Sequence, residues 1–209
     1  MIVEPKVREF ICTTAHPVGC MENVNRQISY VKSLSFPMEA AQHAKKVLII
    51  GASTGYGLAS RITAAFGCHA ATIGIMFEKP SNGKRTATPG WYNTAAFEKA
   101  AAADGLYAKS INGDAFSEEI KQRTIDLIKK DLGQIDLVIY SLAAPRRTTA
   151  DGTVYTSSLK TTGSVFTEKS LDLKNNIITQ KSVEPATEEE LQGTIKVMGG
   201  EDWMDWITA

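Results

Sequence analysis

Between Lys45 and Pro145 the chain alternates short β-branched runs with longer amphipathic ones. Val47-Leu48-Ile49-Ile50 is continuously apolar and ends at Gly51, the pattern of a strand buried on both faces, as in a parallel sheet. A helix-compatible stretch runs from about Tyr56 to Phe66 and closes at Gly67. Ala70 to Phe77, rich in β-branched and apolar residues, predicts a second strand. A loop carrying Pro80, Asn82, Gly83, Pro89 and Gly90 follows. Helix signal resumes from Thr94 to Asp104, and Leu106 to Ile111 predicts a third strand. Ser117-Glu118-Glu119-Ile120 opens a helix with an N-cap residue and acids in its first turn. Ile120, Ile125, Leu127, Ile128 and Leu132 supply its buried side, and Gly133 ends it. Ile135 to Leu142 predicts a fourth strand, stopped by Pro145.

Strands alternating with helices of this length predict βαβ units with right-handed crossovers. The expected class is α/β, a Rossmann-like doubly wound parallel sheet with helices on both faces. Thr148 to Lys181 breaks the pattern, being rich in Thr, Ser and Gly with Val154-Tyr155 and Val165-Phe166 as short candidate strands. It reads as a hairpin-like excursion or flexible flap. Thr187-Glu188-Glu189-Glu190 opens a helix toward Val197, and Glu201-Asp202-Trp203 opens another. Only two turns of that last helix precede Ala209. This reads as a fragment truncated at the C-terminus, with Trp203 and Trp206 packing on a missing half.

Composition narrows the function. The chain has 209 residues, 23 basic and 23 acidic, with no net charge and 43% apolar residues. That suits one ordinary domain, or one with an appendage, and a real core. A nucleic-acid or anionic-membrane binder needs a basic face that this balance does not suggest. No apolar run approaches the ~20 residues of a membrane helix, and the first ten residues lack the apolar stretch of a signal peptide. Three cysteines do not make a disulfide framework. These features predict a cytoplasmic protein with reduced thiols. Cys12, His16 and Cys20 sit four apart. Pro17 and Gly19 are expected to break the helix that would align them and a fourth ligand is missing, so a structured loop is expected there and no metal. Cys68 reads as core.

The most informative residues follow the first strand: Gly51-Ala52-Ser53-Thr54-Gly55-Tyr56-Gly57, a G-x-x-x-G-x-G pattern. The G-x-G-x-x-G fingerprint is not met, since the sixth position from Gly55 is Ser60. The spacing resembles that of short-chain dehydrogenases. Gly51 lets the strand turn sharply, Gly55 lets backbone approach a pyrophosphate, and Gly57 lets the helix pack on the sheet. Ser53 and Thr54 offer hydroxyls, and the helix N-terminus favours an anion. A tight turn alone also uses glycine for conformational reasons. Glu78 ends the second strand, where an acid accepts hydrogen bonds from an adenosine ribose and repels a 2′-phosphate, so NADH is favoured over NADPH. Lys79, Lys84 and Arg85 would welcome a phosphate of NADPH or coenzyme A; a solvated basic loop is the plainer reading of Lys84 and Arg85. Asp114 after the third strand is placed to bond an adenine amino group or simply to start the next helix. Small residues in Ser141-Leu142-Ala143-Ala144-Pro145 permit close approach of a cofactor or close packing. Trp91 and Tyr92 line a pocket or pack on their own scaffold. A non-catalytic dinucleotide sensor and a Rossmann-like methyltransferase remain open alternatives; the Ser141 to Pro145 strand end resembles that of enoyl reductases, and this resemblance favours a nicotinamide reductase over a methyltransferase.

Taken together the motifs resemble the trans-2-enoyl-CoA reductase family, which includes NADH-dependent enoyl-acyl-carrier-protein reductases. The similar stretches are Cys12-x-x-Ala15-His16-Pro17-x-Gly19-Cys20, Gly55 to Arg61, Thr88 to Asn93, Gly113 to Phe116, Tyr140 to Ala143 and Val197 to Trp203. The resemblance implies NADH-dependent reduction of a 2-enoyl thioester, carried by coenzyme A or acyl carrier protein, in fatty acid biosynthesis. It implies cofactor contacts at Gly51, Ala52, Ser53, Thr54, Gly55, Tyr56, Phe77, Glu78, Asp114, Ala115, Leu142 and Ala143. The family's catalytic tyrosine with a lysine nine positions later does not carry over. None of Tyr30, Tyr56, Tyr92, Tyr107, Tyr140 or Tyr155 has a lysine nine or four positions on. The pair is expected beyond residue 209, and this chain alone is expected to be inactive. The implied organisation is an extension over 1–44 packed on the core, an NAD-binding core over 45–147, and an excursion with the first substrate-side helices over 148–209. The partners are a small thioester, no nucleic acid and no membrane span, with a monomer the favoured state.

Overall fold

The computed structural model describes residues 2–8 and 11–209. Met1, Glu9 and Phe10, part of the expected 1–44 extension, lie outside the described residues. The chain folds as two compact units, Met1–Leu142 and Ala143–Ala209.

The first unit opens with a small antiparallel pair, β1 (Val7–Arg8) and β2 (Ile11–Cys12), followed by helices α1 (Pro17–Ser33) and α2 (Met38–His43). Then come β3 (Lys46–Ile50), α3 (Gly55–Ile62), a π-helical turn at Thr63–Gly67, and β4 (Ala71–Met76). The unit ends with α4 (Pro89–Ala103), β5 (Ala108–Asn112), α5 (Glu118–Asp131) and β6 (Leu137–Tyr140). The four longer strands are parallel in the order β5-β4-β3-β6, so the α/β expectation holds. The chain steps from β3 to β4 to β5, then reverses to add β6 on the far side of β3. Right-handed crossovers therefore put α3 and α4 on one face and α5 on the other. The reversal makes the carboxyl ends of β3 and β6 the topological switch point, the place where open α/β sheets bind ligands.

Val47 through Ile50 are fully buried along β3, as their unbroken apolar run requires of a central parallel strand. A second apolar cluster joins α1, α3, the π turn and α4 through Val24, Ile28, Val31, Leu58, Ile62, Phe66, Ala96 and Phe97. Phe66 and Phe97 meet edge to face at 5.7 Å. The expected fourth strand is the shorter β6, half-buried rather than core, with Leu137 exposed. It has β3 as its one neighbour among the described residues, and an edge strand covers less of itself. On α5 only Ile120 of the five expected apolar residues is fully buried. Lys121 and Thr124 share its face, and Ile125, Leu127, Ile128 and Leu132 are half-buried. Cys68 is likewise half-buried rather than core.

Two helix starts correct the sequence reading. Pro17 and Gly19 do not break a helix: Pro17 opens α1, and the His16 Nδ1 accepts the Gly19 N–H at 3.1 Å as its cap. Pro89 opens α4 five residues before the expected Thr94. At the first helical position proline's missing N–H costs nothing and its fixed φ suits the helix.

In the second unit β7 (Arg146–Thr148) and β8 (Val154–Thr156) form one hairpin. β9 (Phe166–Asp172) and β10 (Ile177–Val183) form another, with Asn176 in the left-handed region at φ 51°. The expected excursion is thus two hairpins. α6 (Glu188–Met198) carries a full capping box between Thr187 and Glu190, and α7 (Glu201–Thr208) follows. Arg147 is buried, with Glu201 at 3.2 Å and Asp205 at 3.5 Å. Trp206 is itself buried and Trp203 half-buried, so Trp206 does not wait for residues beyond this chain to cover it.

Candidate functional site

The glycine turn leaves β3 at the switch point. Gly51 has φ 84°, and a Cβ there would run into the backbone carbonyl of Ser141, at the end of β6. Its N–H and that of Ala52 both donate to the Ile75 carbonyl, at 3.0 and 2.9 Å, so the turn is tied to β4. A Cβ on Gly57 would collide with the carbonyl of Gly51, because the first turn of α3 lies directly on the bend. Gly55 differs from both. Its φ is 53°, and a Cβ there would meet no atom within 4 Å. Thr54 is extended at the N-cap of α3, is exposed, and makes no side-chain cap. The first N–H groups of a helix have no acceptor within it. The turn therefore has backbone donors, a positive helix end and open space, the requirements of a diphosphate cradle.

One carboxylate reaches this bend. The Ser53 hydroxyl donates to Glu78 Oε1 at 2.5 Å, and a Cβ on Gly90 would strike that carboxylate. Gly90 is the second residue of α4, so the negative group rests on a positive helix end. Ser53 is buried, and its carbonyl accepts from Nδ2 of the buried Asn93 at 3.1 Å. The structure thus brings together Gly51, Ala52, Ser53, Gly55 and Glu78, with Ala52 fully buried. Tyr56 and Phe77 are 88% and 72% exposed. Asp114 Oδ1 accepts the Phe116 N–H at 3.0 Å, and the Asp114 carbonyl accepts from Ser117, the N-cap of α5. That is the helix-starting role weighed for it. Ala115 is buried. Leu142 closes the first unit and Ala143 opens the second. Trp91 and Tyr92 lie inside α4, and the Tyr92 hydroxyl accepts the Ala87 N–H at 3.0 Å, a scaffold contact. Lys79, Lys84 and Arg85 are exposed; the Asn82 side chain shapes their loop by accepting from the N–H groups of Lys84 and Arg85.

Three residues without a sequence-based role support this turn. Arg61, on α3, is 1% exposed and lies 4.4 Å from the centre of the Phe97 ring. Its guanidinium donates to Thr72 Oγ1 at 3.3 Å, Ser110 Oγ at 2.8 Å and the Lys109 carbonyl at 2.7 Å. It binds α3 to β4 and β5. Burial lowers its pKa to about 10, partly opposed by the charge of Glu98. Asn93 holds Ser53, and Asn112 holds the backbone of Glu78 at 2.8 and 3.0 Å.

The family model for the NAD(P)H binding domain of trans-2-enoyl-CoA reductase matches residues 2–83, and that for the trans-2-enoyl-CoA reductase catalytic region matches residues 85–209. The whole chain is 59% identical to the trans-2-enoyl-CoA reductase [NADH] of Ruminiclostridium cellulolyticum over 210 residues, and covers 52% of it. It is 61% identical to the enoyl-[acyl-carrier-protein] reductase [NADH] of Edwardsiella ictaluri, again covering 52%. Among solved structures, the Treponema denticola trans-2-enoyl-CoA reductase in complex with NAD superposes with TM-score 0.91 at 50% identity, over 100% of this chain and 53% of that one. The chain spans about half the length of the curated relatives it matches. On two family models that together cover nearly all of its residues, the chain belongs to the trans-2-enoyl-CoA reductase family.

Proposed function

We propose that this chain is the NADH-binding portion of an enzyme that reduces the carbon–carbon double bond of trans-2-enoyl thioesters, carried by coenzyme A or acyl carrier protein. The observation that carries the reading is the open bend at Gly55, set at the sheet's switch point beside the Ser53-held carboxylate of Glu78. The residues fit the cofactor. Thr54, Gly55 and Tyr56 would receive the diphosphate on backbone amides, helped by the dipole of α3. Gly51 and Gly57 would let that turn close without side chains. Glu78, with acceptor capacity beyond its one bond to Ser53, would accept the adenosine ribose hydroxyls and repel a 2′-phosphate. Phe77, Asp114 and Ala115, at the ends of the neighbouring strands, would flank the adenosine, with Leu142 and Ala143 toward the nicotinamide. The bound cofactor would supply a hydride to the β-carbon of the thioester. The chain's own residues bind and orient.

The test is a fluorescence titration of the purified chain with NADH, run beside S-adenosylmethionine. Saturable NADH binding with no response to S-adenosylmethionine is expected; absence of NADH binding refutes the reading. No tyrosine here has a lysine nine positions on, so the same preparation is expected to leave NADH unoxidised when crotonyl-CoA is added.

A further inference from the structure

Asn112 ends β5 opposite Met76 of β4, and the Gly113 N–H donates to the Met76 carbonyl at 2.8 Å. The ladder then continues through a side chain. Asn112 Oδ1 accepts the Glu78 N–H at 2.8 Å, and Asn112 Nδ2 donates to the Glu78 carbonyl at 3.0 Å. Both main-chain groups of Glu78 are held by one planar amide, and only one orientation of that amide satisfies both bonds. Glu78 lies two residues past the end of β4, where no strand neighbour would otherwise fix it. Its carboxylate is then directed to the Ser53 hydroxyl and the start of α4. A residue in a loop is thereby held as firmly as one in the sheet.

We infer that Asn112 is a positioning residue that sets the preference for NADH over NADPH. It fixes the Glu78 carboxylate where a ribose 2′-hydroxyl is accepted and a 2′-phosphate is repelled. The inference rests on the proposed dinucleotide function. Without the clamp the carboxylate keeps only its Ser53 bond and its place against α4, its position loosens, and both the attraction and the repulsion weaken.

The experiment titrates NADH and NADPH against the chain as wild type, Asn112→Ala, Glu78→Gln and the double variant. The readout is the ratio of the NADPH Kd to the NADH Kd. Wild type prefers NADH. Asn112→Ala narrows the ratio by about tenfold, the worth of two neutral hydrogen bonds acting through one carboxylate. In the Glu78→Gln background the same substitution leaves the ratio unchanged. Asn112→Ser, which keeps one hydrogen-bonding group at the strand end, gives a smaller shift in the same direction and carries the test should the alanine variant not fold. A purely structural role would weaken both dinucleotides equally; that outcome, or a ratio shift that persists in full without Glu78, overturns the inference. A wild type that binds both dinucleotides equally overturns it while leaving dinucleotide binding intact. A wild type that binds neither overturns the function reading as well.

Discussion

Gly57→Ala puts the packing of the glycine turn under direct test. Alanine is the better helix former, and inside a helix the exchange returns about 1 kcal/mol. Here the new methyl group would lie against the Gly51 carbonyl: 2.9 Å from its carbon, with the oxygen closer still, and 3.4 Å from the Ala52 Cα. These are backbone atoms, and Gly51 cannot retreat because its own N–H is bonded to the Ile75 carbonyl at 3.0 Å. The first turn of α3 must move outward instead. Overpacking costs typically about 1–3 kcal/mol, and a backbone obstacle puts this site at or above the top of that range. Set against the propensity gain, the net loss is about 2 kcal/mol, or roughly 4–8 °C in Tm for a chain of this length. The outward shift also separates the α3 amides from the bend, so NADH affinity falls alongside stability. Thermal melting by circular dichroism and NADH titration read the two effects. A variant that melts within about 1 °C of wild type and binds NADH equally would refute the reasoning, because it would mean the turn and helix are not in contact.

Two further perturbations test the support of the sheet. Arg61→Met removes three hydrogen bonds from Thr72, Ser110 and the Lys109 carbonyl in a buried site. Unpaired buried polar groups outweigh the relief of a buried charge there, so urea unfolding should show a loss of about 2–3 kcal/mol. Asp131 accepts from the Lys109 ammonium and the Tyr107 hydroxyl, both at 2.6 Å. Those bonds, the lysine's first, hold its pKa below the ordinary 3.8, while burial, followed by the Asp131 bond and charge, raises Tyr107 above 10.0. The Asp131 contribution to stability is thus present above pH 3.8 and fades as pH falls below it; that of Tyr107 is present below pH 10.0 and fades as pH rises above it. Asp131→Asn should flatten the acid limb of a plot of Tm against pH and lessen the alkaline one, where burial of Tyr107 persists; limbs unchanged from wild type would contradict the assignment.

The parallel sheet was legible because β3 and β6 are unbroken apolar runs and β4 nearly so, between amphipathic helices; β5, with Lys109 and Ser110, gave the weakest signal. Ser117 and Thr187 announced α5 and α6 through local chemistry, a cap residue followed by acids, and the structure shows both caps in place. α1 was missed and α4 started late for one reason. Pro17 reads as a helix breaker and Pro89 as part of a loop, and each is the first residue of its helix. Arg61, Asn93 and Asn112 were invisible for another. Asn93 acts on a carbonyl 40 positions away, Asn112 on a residue 34 positions away, and Arg61 on one 49 away. No spacing rule covers partners that only the sheet order brings together. Asn112 directly precedes the Gly113 to Phe116 stretch, and its neutral amide carries no signal beside the charge of Asp114.

The glycines of the site divide by what excludes a side chain, and the division separates folding from function. At positions 51, 57 and 90 the excluding atoms belong to the protein: the Ser141 carbonyl, the Gly51 carbonyl and the Glu78 carboxylate. Each of these glycines is explained by the fold, and a chain that bound nothing would still need it. At Gly55 no protein atom lies within 4 Å of the missing Cβ. Its φ of 53° is one that Asn or Asp also reaches at modest cost, so geometry prefers glycine there without requiring it. Open space is also found at exposed turn glycines such as Gly83 and Gly105; what sets Gly55 apart is its place at the start of α3, beside the Glu78 carboxylate at the switch point of the sheet, where the proposed diphosphate would lie. The case for a bound dinucleotide therefore rests on the one glycine of the turn that packing leaves unexplained.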